Sequence, residues 1–174
     1  MIALAIGIIG VVLFLRGRAP AAALPDDAAE LVPPVFPPKI IGDNKFYKSP
    51  LLRFSILFPK SLRLKEYGKG NTSTIVFEDE TTGKGFQVFV VPYGQKEISA
   101  ERFKMDAPSG IREEPTDVII DGIRTTMFFG RDSVLGDTRE VWFINHGFLY
   151  EVTARKELDA WLAGIMQTWR FSAN

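Results

Sequence analysis

The chain has no cysteine, a single histidine and no net charge, and each of these absences excludes a class of function. Without thiols there are no disulfides, no thiolate nucleophiles and no zinc–thiolate sites. Since Lys+Arg and Asp+Glu are both 21, we expect no concentrated basic surface and no nucleic-acid partner. Any catalytic triad that uses histidine would have to include His146.

The N-terminus carries an apolar run, residues 2–15, without a polar side chain. At about 1.5 Å per residue the run covers roughly 20 Å, less than the ~30 Å hydrocarbon core of a bilayer. We interpret residues 1–18 as a membrane anchor whose Arg16 and Arg18 lengthen the span by snorkelling. The alternative is a signal peptide with a cleavage site at residues 21–23. The missing basic residues before the run favour the anchor.

A proline-rich segment, residues 19–45, follows the anchor and is interpreted as a linker. Its six prolines favour extended polyproline conformations, which space a domain away from a surface. The folded domain is therefore expected over residues 46–174. Read alone, Arg16 and Arg18 would keep this domain in the cytoplasm by the positive-inside rule. Because such anchors and spacers usually carry exported domains, we expect the domain on the extracytoplasmic side of the membrane.

From residue 46 onward, short apolar runs alternate with turn signals, which is typical of β-strands. Two turns with glycine, Asp121-Gly122 and residues 145–147, predict β-hairpins. Residues 86–91 are apolar on both faces and predict a central strand. The predicted strands are 54–58, 62–65, 72–77, 86–91, 118–120, 123–129, 138–144 and 148–153.

Two helices are predicted. Ser99 is expected to cap a short helix over residues 100–107. The last element has apolar side chains at i, i+3, i+4, i+7, i+8 and i+11, the stripe of an amphipathic helix. These are Leu158, Trp161, Leu162, Ile165, Met166 and Trp169. The expected fold class is α+β, an antiparallel β-sheet flanked by helices.

Several segments together resemble the PsbP-like family, named after the extrinsic oxygen-evolving protein of photosystem II. They are the F-S-I-L-F-P strand at 54–59, I-V-F-E-D at 75–79, F-Q-V-F-V at 86–90, I-I-D-G-I-R at 119–124, G-F-L-Y-E-V at 147–152 and I-M-Q-T-W-R-F at 165–171. The resemblance covers residues 46–171 and implies an α/β/α sandwich. It also implies a non-enzymatic accessory or binding role, and it carries over no metal or cofactor residue.

The residues that could carry chemistry each have a simpler interpretation. His146 lies at a predicted turn, so we interpret it as a turn residue and not as a ligand or general base. Residues 78–80 offer carboxylates, but Phe89 stands where a calcium loop needs a bidentate glutamate. Glu113 and Glu114 are adjacent and would point to opposite faces of a strand. The sequence therefore predicts no catalytic, metal or cofactor site.

The remaining candidate is a binding patch. Trp142 is expected to pack in the core, but an exposed Trp142 near Tyr150, with His146 at the adjacent turn, would form such a patch. We expect a membrane-tethered, extracytoplasmic accessory module that is held in the membrane by residues 2–15. It would bind another envelope protein through an apolar patch or groove. The alternatives are an enzyme centred on His146 or residues 78–80, and a structural subunit of an envelope assembly.

Overall fold

The computed structural model describes residues 39–69 and 72–172. The predicted anchor and residues 19–38 of the predicted linker lie outside them. Within the described part of the chain, no helix has the length and apolar character needed to cross a bilayer. In chain order the elements are β1 (Lys39–Ile41), β2 (Asn44–Ser49), β3 (Phe54–Pro59), β4 (Arg63–Lys69), β5 (Thr72–Asp79), β6 (Lys84–Pro92), α1 (Ala100–Asp106), β7 (Glu113–Ile120), β8 (Ile123–Asp132), β9 (Gly136–Asn145), β10 (Phe148–Arg155), α2 (Asp159–Met166) and β11 (Arg170–Phe171).

The larger sheet has seven strands in the order β4-β5-β6-β10-β9-β8-β7, and every neighbouring pair is antiparallel. The strand β6 lies between β5 and β10, and its residues 85–91 are buried. The prediction of a two-sided, central strand is therefore confirmed. Such a strand must be apolar on both faces because protein covers both of them.

The smaller sheet has four strands in the order β1-β2-β3-β11. Residues 39–45, which we assigned to the linker, instead form β1, a two-residue turn and the start of β2. The strand β11, which the sequence analysis missed, pairs Phe171 with Phe54. These strands escaped prediction because they are two to six residues long and show little apolar alternation.

The hydrophobic core lies between the two sheets and against α2. Trp169 is completely buried and stacks on Phe54, with their ring centroids 4.2 Å apart. The predicted apolar stripe is confirmed at Leu162, Ile165 and Met166, which are buried. The α-helix itself is shorter than predicted, because it starts after a 3₁₀ turn and ends at Met166 before the chain enters β11. The fold is thus antiparallel β-sheet with a few short helices, and a second sheet covers part of the face that we assigned to helices.

The helix α1 lies apart from this core, on the opposite face of the seven-stranded sheet. The predicted cap is confirmed, since the Ser99 hydroxyl accepts a hydrogen bond of 3.1 Å from the Arg102 backbone N–H. The side chain of Phe103 packs on Phe128 and Trp142 of that face. This face, which we call the outer face, carries the candidate site.

Both predicted hairpins are present and use two-residue turns with positive φ. Asp121 and Gly122 have φ of 47° and 81°, and His146 and Gly147 have φ of 49° and 80°. Such paired values define the type I′ turn, whose twist matches that of the flanking strands. The second turn is shorter than predicted because Asn145 still belongs to β9.

Replacing His146 with asparagine is expected to stabilise the chain by about 0.5 kcal/mol. Asparagine adopts positive φ more readily than other non-glycine residues and is preferred before glycine in this turn type. Thermal unfolding of the two proteins measures the difference. A decrease in stability would show that the imidazole makes a contact beyond its role in the turn.

A second prediction concerns Glu66, whose carboxylate accepts a hydrogen bond from Tyr47 beside the core. Burial raises the pKa of Glu66, so the folded state binds a proton more tightly than the unfolded state does. At neutral pH the ionised carboxylate therefore disfavours folding relative to a neutral amide. Glu66→Gln is expected to raise the melting temperature at pH 7. The advantage should shrink as the pH falls and disappear near pH 3.5, below the unfolded pKa of about 4.3.

Candidate ligand-binding groove

An open groove of about 670 Å³ lies on the outer face, beside α1. One wall consists of residues 96–100, and the other consists of side chains from β7, β8 and β9. Its size falls in the range of about 300–1,000 Å³ that is usual for binding pockets. The groove exists because the chain leaves the sheet after β6, forms α1, and returns at the edge strand β7.

Three aromatic rings form the floor of the groove. Phe128 and Trp142 face the same side because Trp142 pairs with Thr126 in the register of β8 and β9. Their ring centroids are 5.4 Å apart, and Phe103 lies 5.7 and 5.5 Å from them. The Trp142 indole N–H donates a 3.0 Å hydrogen bond to Glu140, which fixes the ring. The floor is therefore apolar, but Phe128 and Trp142 are each only 1% exposed, so the ring surface that a ligand can reach comes from the half-buried Phe103.

Arg112, which immediately precedes β7, lies at the edge of this floor. Its guanidinium carbon is 5.9 Å from the Phe103 centroid and 5.7 Å from the Phe128 centroid. These are cation–π distances, which restrict where the guanidinium can lie. Within residues 39–69 and 72–172, no carboxylate forms an ion pair with Arg112. Its N–H donors are thus available to a ligand.

The other charged groups of the groove differ in how far they are already paired. Asp117 accepts a 2.9 Å hydrogen bond from the Thr126 hydroxyl, and its second oxygen lies 4.0 Å from Arg124 Nε. Lys96 and Glu97 lie on the opposite wall. Apart from Asp117 and Arg124, which lie opposite each other, the charged lining consists of the cations Lys96 and Arg112 and the carboxylate of Glu97, so the groove carries one net positive charge.

A buried ionic cluster fixes α1 on the sheet. Arg102 forms an ion pair with Asp106, and its Nη2 lies 3.9 Å from Glu151 Oε1 on β10. All three residues are buried. Because breaking a buried ion pair is costly, the cluster holds α1, and therefore one wall of the groove, in place.

The structure separates the three predicted patch residues. Trp142 is buried in the floor of the groove. Tyr150 pairs with Phe143 and lies on the opposite, core face, where its hydroxyl donates a 2.8 Å hydrogen bond to the Leu52 carbonyl. Burial raises the pKa of Tyr150. His146 is exposed at the turn. An exposed patch of Trp142 and Tyr150 is therefore not formed: Trp142 is buried, but it packs against α1 on the outer face and not in the core between the two sheets.

The acidic residues 78–80, Glu113 and Glu114 do not line the groove. Glu80 pairs with Arg63 at 2.8 Å and with Lys65 at 2.6 Å, and the hydrogen bond from Lys65 is the main reason that the pKa of Glu80 is lowered. Across the described residues, no group of three or more histidine, aspartate or glutamate side chains is placed to hold a metal ion. Sequence reasoning missed Lys96, Arg112 and Phe128 as groove residues. Lys96 and Arg112 are single cations beside turns, and such residues produce no periodic pattern in the sequence.

Comparisons with known proteins identify the fold alone. No family model and no curated protein matches the chain. Among solved structures, the chain is similar to the solution structure of cyanobacterial PsbP (CyanoP) from Synechocystis sp. PCC 6803. The TM-score is 0.55, the match covers 76% of this chain and 95% of that chain, and 13% of the residues are identical. The chain therefore has a PsbP-like fold, and no residue role follows from the likeness.

Proposed function

We propose that the chain is a non-enzymatic accessory domain that binds a segment of a partner protein in the groove on its outer face. The observation that carries the proposal is the half-buried ring of Phe103 in the groove, with the Arg112 guanidinium carbon 5.9 Å from its centroid and no ion pair to Arg112 among the described residues. Arginine, like tryptophan and tyrosine, is enriched among the few residues that supply most of the binding energy in protein interfaces. Because Arg102 holds α1 on the sheet, the wall of the groove is already formed before a ligand binds. A preformed site lowers the entropic cost of association.

The PsbP-like fold also supports an accessory role. In the proposal, residues 2–15 attach the chain to a membrane, the domain lies on the extracytoplasmic side, and the partner is another protein of the cell envelope. Attachment would hold the groove within reach of membrane-bound partners and raise their effective concentration. A modest affinity of the groove would then suffice for function.

The test is a selection of phage-displayed peptides on the full chain, followed by affinity measurements on purified variants. We expect Phe103→Ala to weaken the selected peptides about tenfold or more, because it removes one ring of the floor. Phe103→Leu serves as a second variant that keeps an apolar side chain, and it should give a smaller loss. Met105→Ala is the matched control, since Met105 lies on the same helix and is 42% exposed outside the groove.

Two results would contradict this function. One is a selection that yields no peptide above background on the full chain. The other is equal binding to the wild type, Phe103→Ala and Met105→Ala, which would place the peptide site elsewhere. Circular dichroism of each variant separates loss of binding from loss of folding.

A further inference from the structure

From the charges around the groove we infer which chemistry the partner presents: an acidic side chain flanked by apolar residues, with its carboxylate bound by Arg112. The inference rests on the proposed function and names the ligand class of the same site. Its chemical basis is Arg112: the guanidinium carbon lies 5.9 and 5.7 Å from the Phe103 and Phe128 centroids, and no carboxylate among the described residues pairs with it.

Arg112 is suited to a carboxylate because of where it is held. Its guanidinium lies within 6 Å of the ring centroids of Phe103 and Phe128. Such cation–π contacts leave the N–H donors free to bind a carboxylate. A guanidinium can bind both oxygens of a carboxylate at once, and such bonds are stronger than those between neutral groups.

The remaining charges of the groove favour the same sign of ligand. The negative charge of Asp117 is offset by Arg124 and by the Thr126 hydroxyl, so it opposes an incoming anion only weakly. Lys96 on the opposite wall adds a second cation that the described carboxylates do not pair. Among the described residues Glu97, next to Lys96, is the one lining carboxylate that no other groove residue engages, so a basic ligand would face the like charges of Arg112 and Lys96 against this single carboxylate.

The apolar side chains of the groove define what flanks the carboxylate. Ile98 and Ile144 lie beside the aromatic floor and extend the apolar surface along the groove. A single carboxylate would leave most of this surface in water. A peptide with apolar residues on either side of the acid would cover it, at roughly 25 cal/mol per Å² of apolar area. We therefore assign the site to a peptide segment and not to a small free carboxylate.

The test uses the full chain and two synthetic, end-capped heptapeptides. Both have a phenylalanine and a leucine next to the central residue and serines at the ends. The central residue is glutamate in one peptide and glutamine in the other. We expect the glutamate peptide to bind at least about tenfold more tightly to the wild type. The preference should weaken at high salt.

Variants of Arg112 show whether the site recognises the acidic side chain or only holds a peptide in the groove. Arg112→Gln is expected to reduce the glutamate preference to about one, and Arg112→Lys to retain part of it. Arg63→Gln is the matched control, because Arg63 is an exposed cation on β4, outside the groove, and its loss should leave the preference unchanged. Two-dimensional NMR of the indole N–H groups reports occupation of the floor through Trp142, assigned with Trp142→Phe.

Three results would overturn the inference. In the first, both peptides bind equally and both depend on Phe103, which leaves the proposed function intact but removes the carboxylate. In the second, N-acetylglutamate competes at the same concentration as the glutamate peptide, so that the acid alone is the ligand. In the third, the peptides selected on phage are enriched in lysine or arginine. Failure of every peptide to depend on Phe103 would instead remove the proposed function itself.

Discussion

Substituting alanine for Trp169 is expected to lower the free energy of unfolding by about 4 kcal/mol. Trp169 is completely buried and stacks on Phe54 at 4.2 Å, while Phe143 and Tyr150 meet its ring at steep angles, at 5.1 and 6.0 Å. Alanine would leave a large cavity where the smaller sheet meets the larger one. Such cavities close poorly because the surrounding strands are held by their hydrogen bonds.

Urea unfolding of the full chain measures this loss, with the transition followed by circular dichroism. Trp161→Ala is the control, since Trp161 is only half-buried and has Lys84 over its ring at 4.6 Å. Its loss should cost clearly less. Trp169→Phe should fall between the two, because the Trp169 indole N–H has no hydrogen-bond partner among the described residues. Equal destabilisation by Trp161→Ala and Trp169→Ala would contradict the central position of Trp169.

Removing the buried cation under α1 is the second large effect. Arg102→Met is expected to destabilise the chain by about 3 kcal/mol. The substitution keeps an apolar stem of similar length but leaves Asp106 and Glu151 buried without the guanidinium that lies between them. A buried charge without its partner raises the free energy of the folded state by more than the intact ion pair lowers it. The expected effect is large for this reason.

The double variant Arg102→Met/Asp106→Leu separates charge from packing. Removing one carboxylate together with the cation should recover part of the stability lost in the single variant. Arg124→Met is the surface control, since its exposed pair with Asp117 at 4.0 Å should contribute less than about 1 kcal/mol. If the double variant is less stable than Arg102→Met, the arginine acts through its packing and not through its charge.

The parts of the fold that could be predicted are those with a signal in their own local sequence. The hairpin turn at Asp121-Gly122, the central strand β6 and the cap at Ser99 each have a signal within a few residues, and the structure contains all three. The strand β11 has only two residues, and it forms because β3 offers an edge to pair with. No local window of the sequence contains that information.

The groove could be predicted only in part. The sequence singled out Trp142, but it paired this residue with Tyr150, which the period-2 geometry of β10 places on the opposite face. The true neighbours, Phe103 and Phe128, come from α1 and β8. Their meeting depends on the path of the chain between β6 and β7, which is a property of the tertiary structure.

The smaller sheet is completed by β11, which comes late in the chain, and this affects how the chain folds as it is synthesised. The strand β3 joins its last partner only through residues more than 110 positions later: the Leu57 N–H donates to the Thr168 hydroxyl, and β11 pairs with β3. Contacts between distant residues slow folding because a long loop must close first. At about 5–20 residues per second of translation, β3 would wait several seconds on the ribosome with one edge open. The smaller sheet can therefore be completed only once residues 168–171 have left the ribosome.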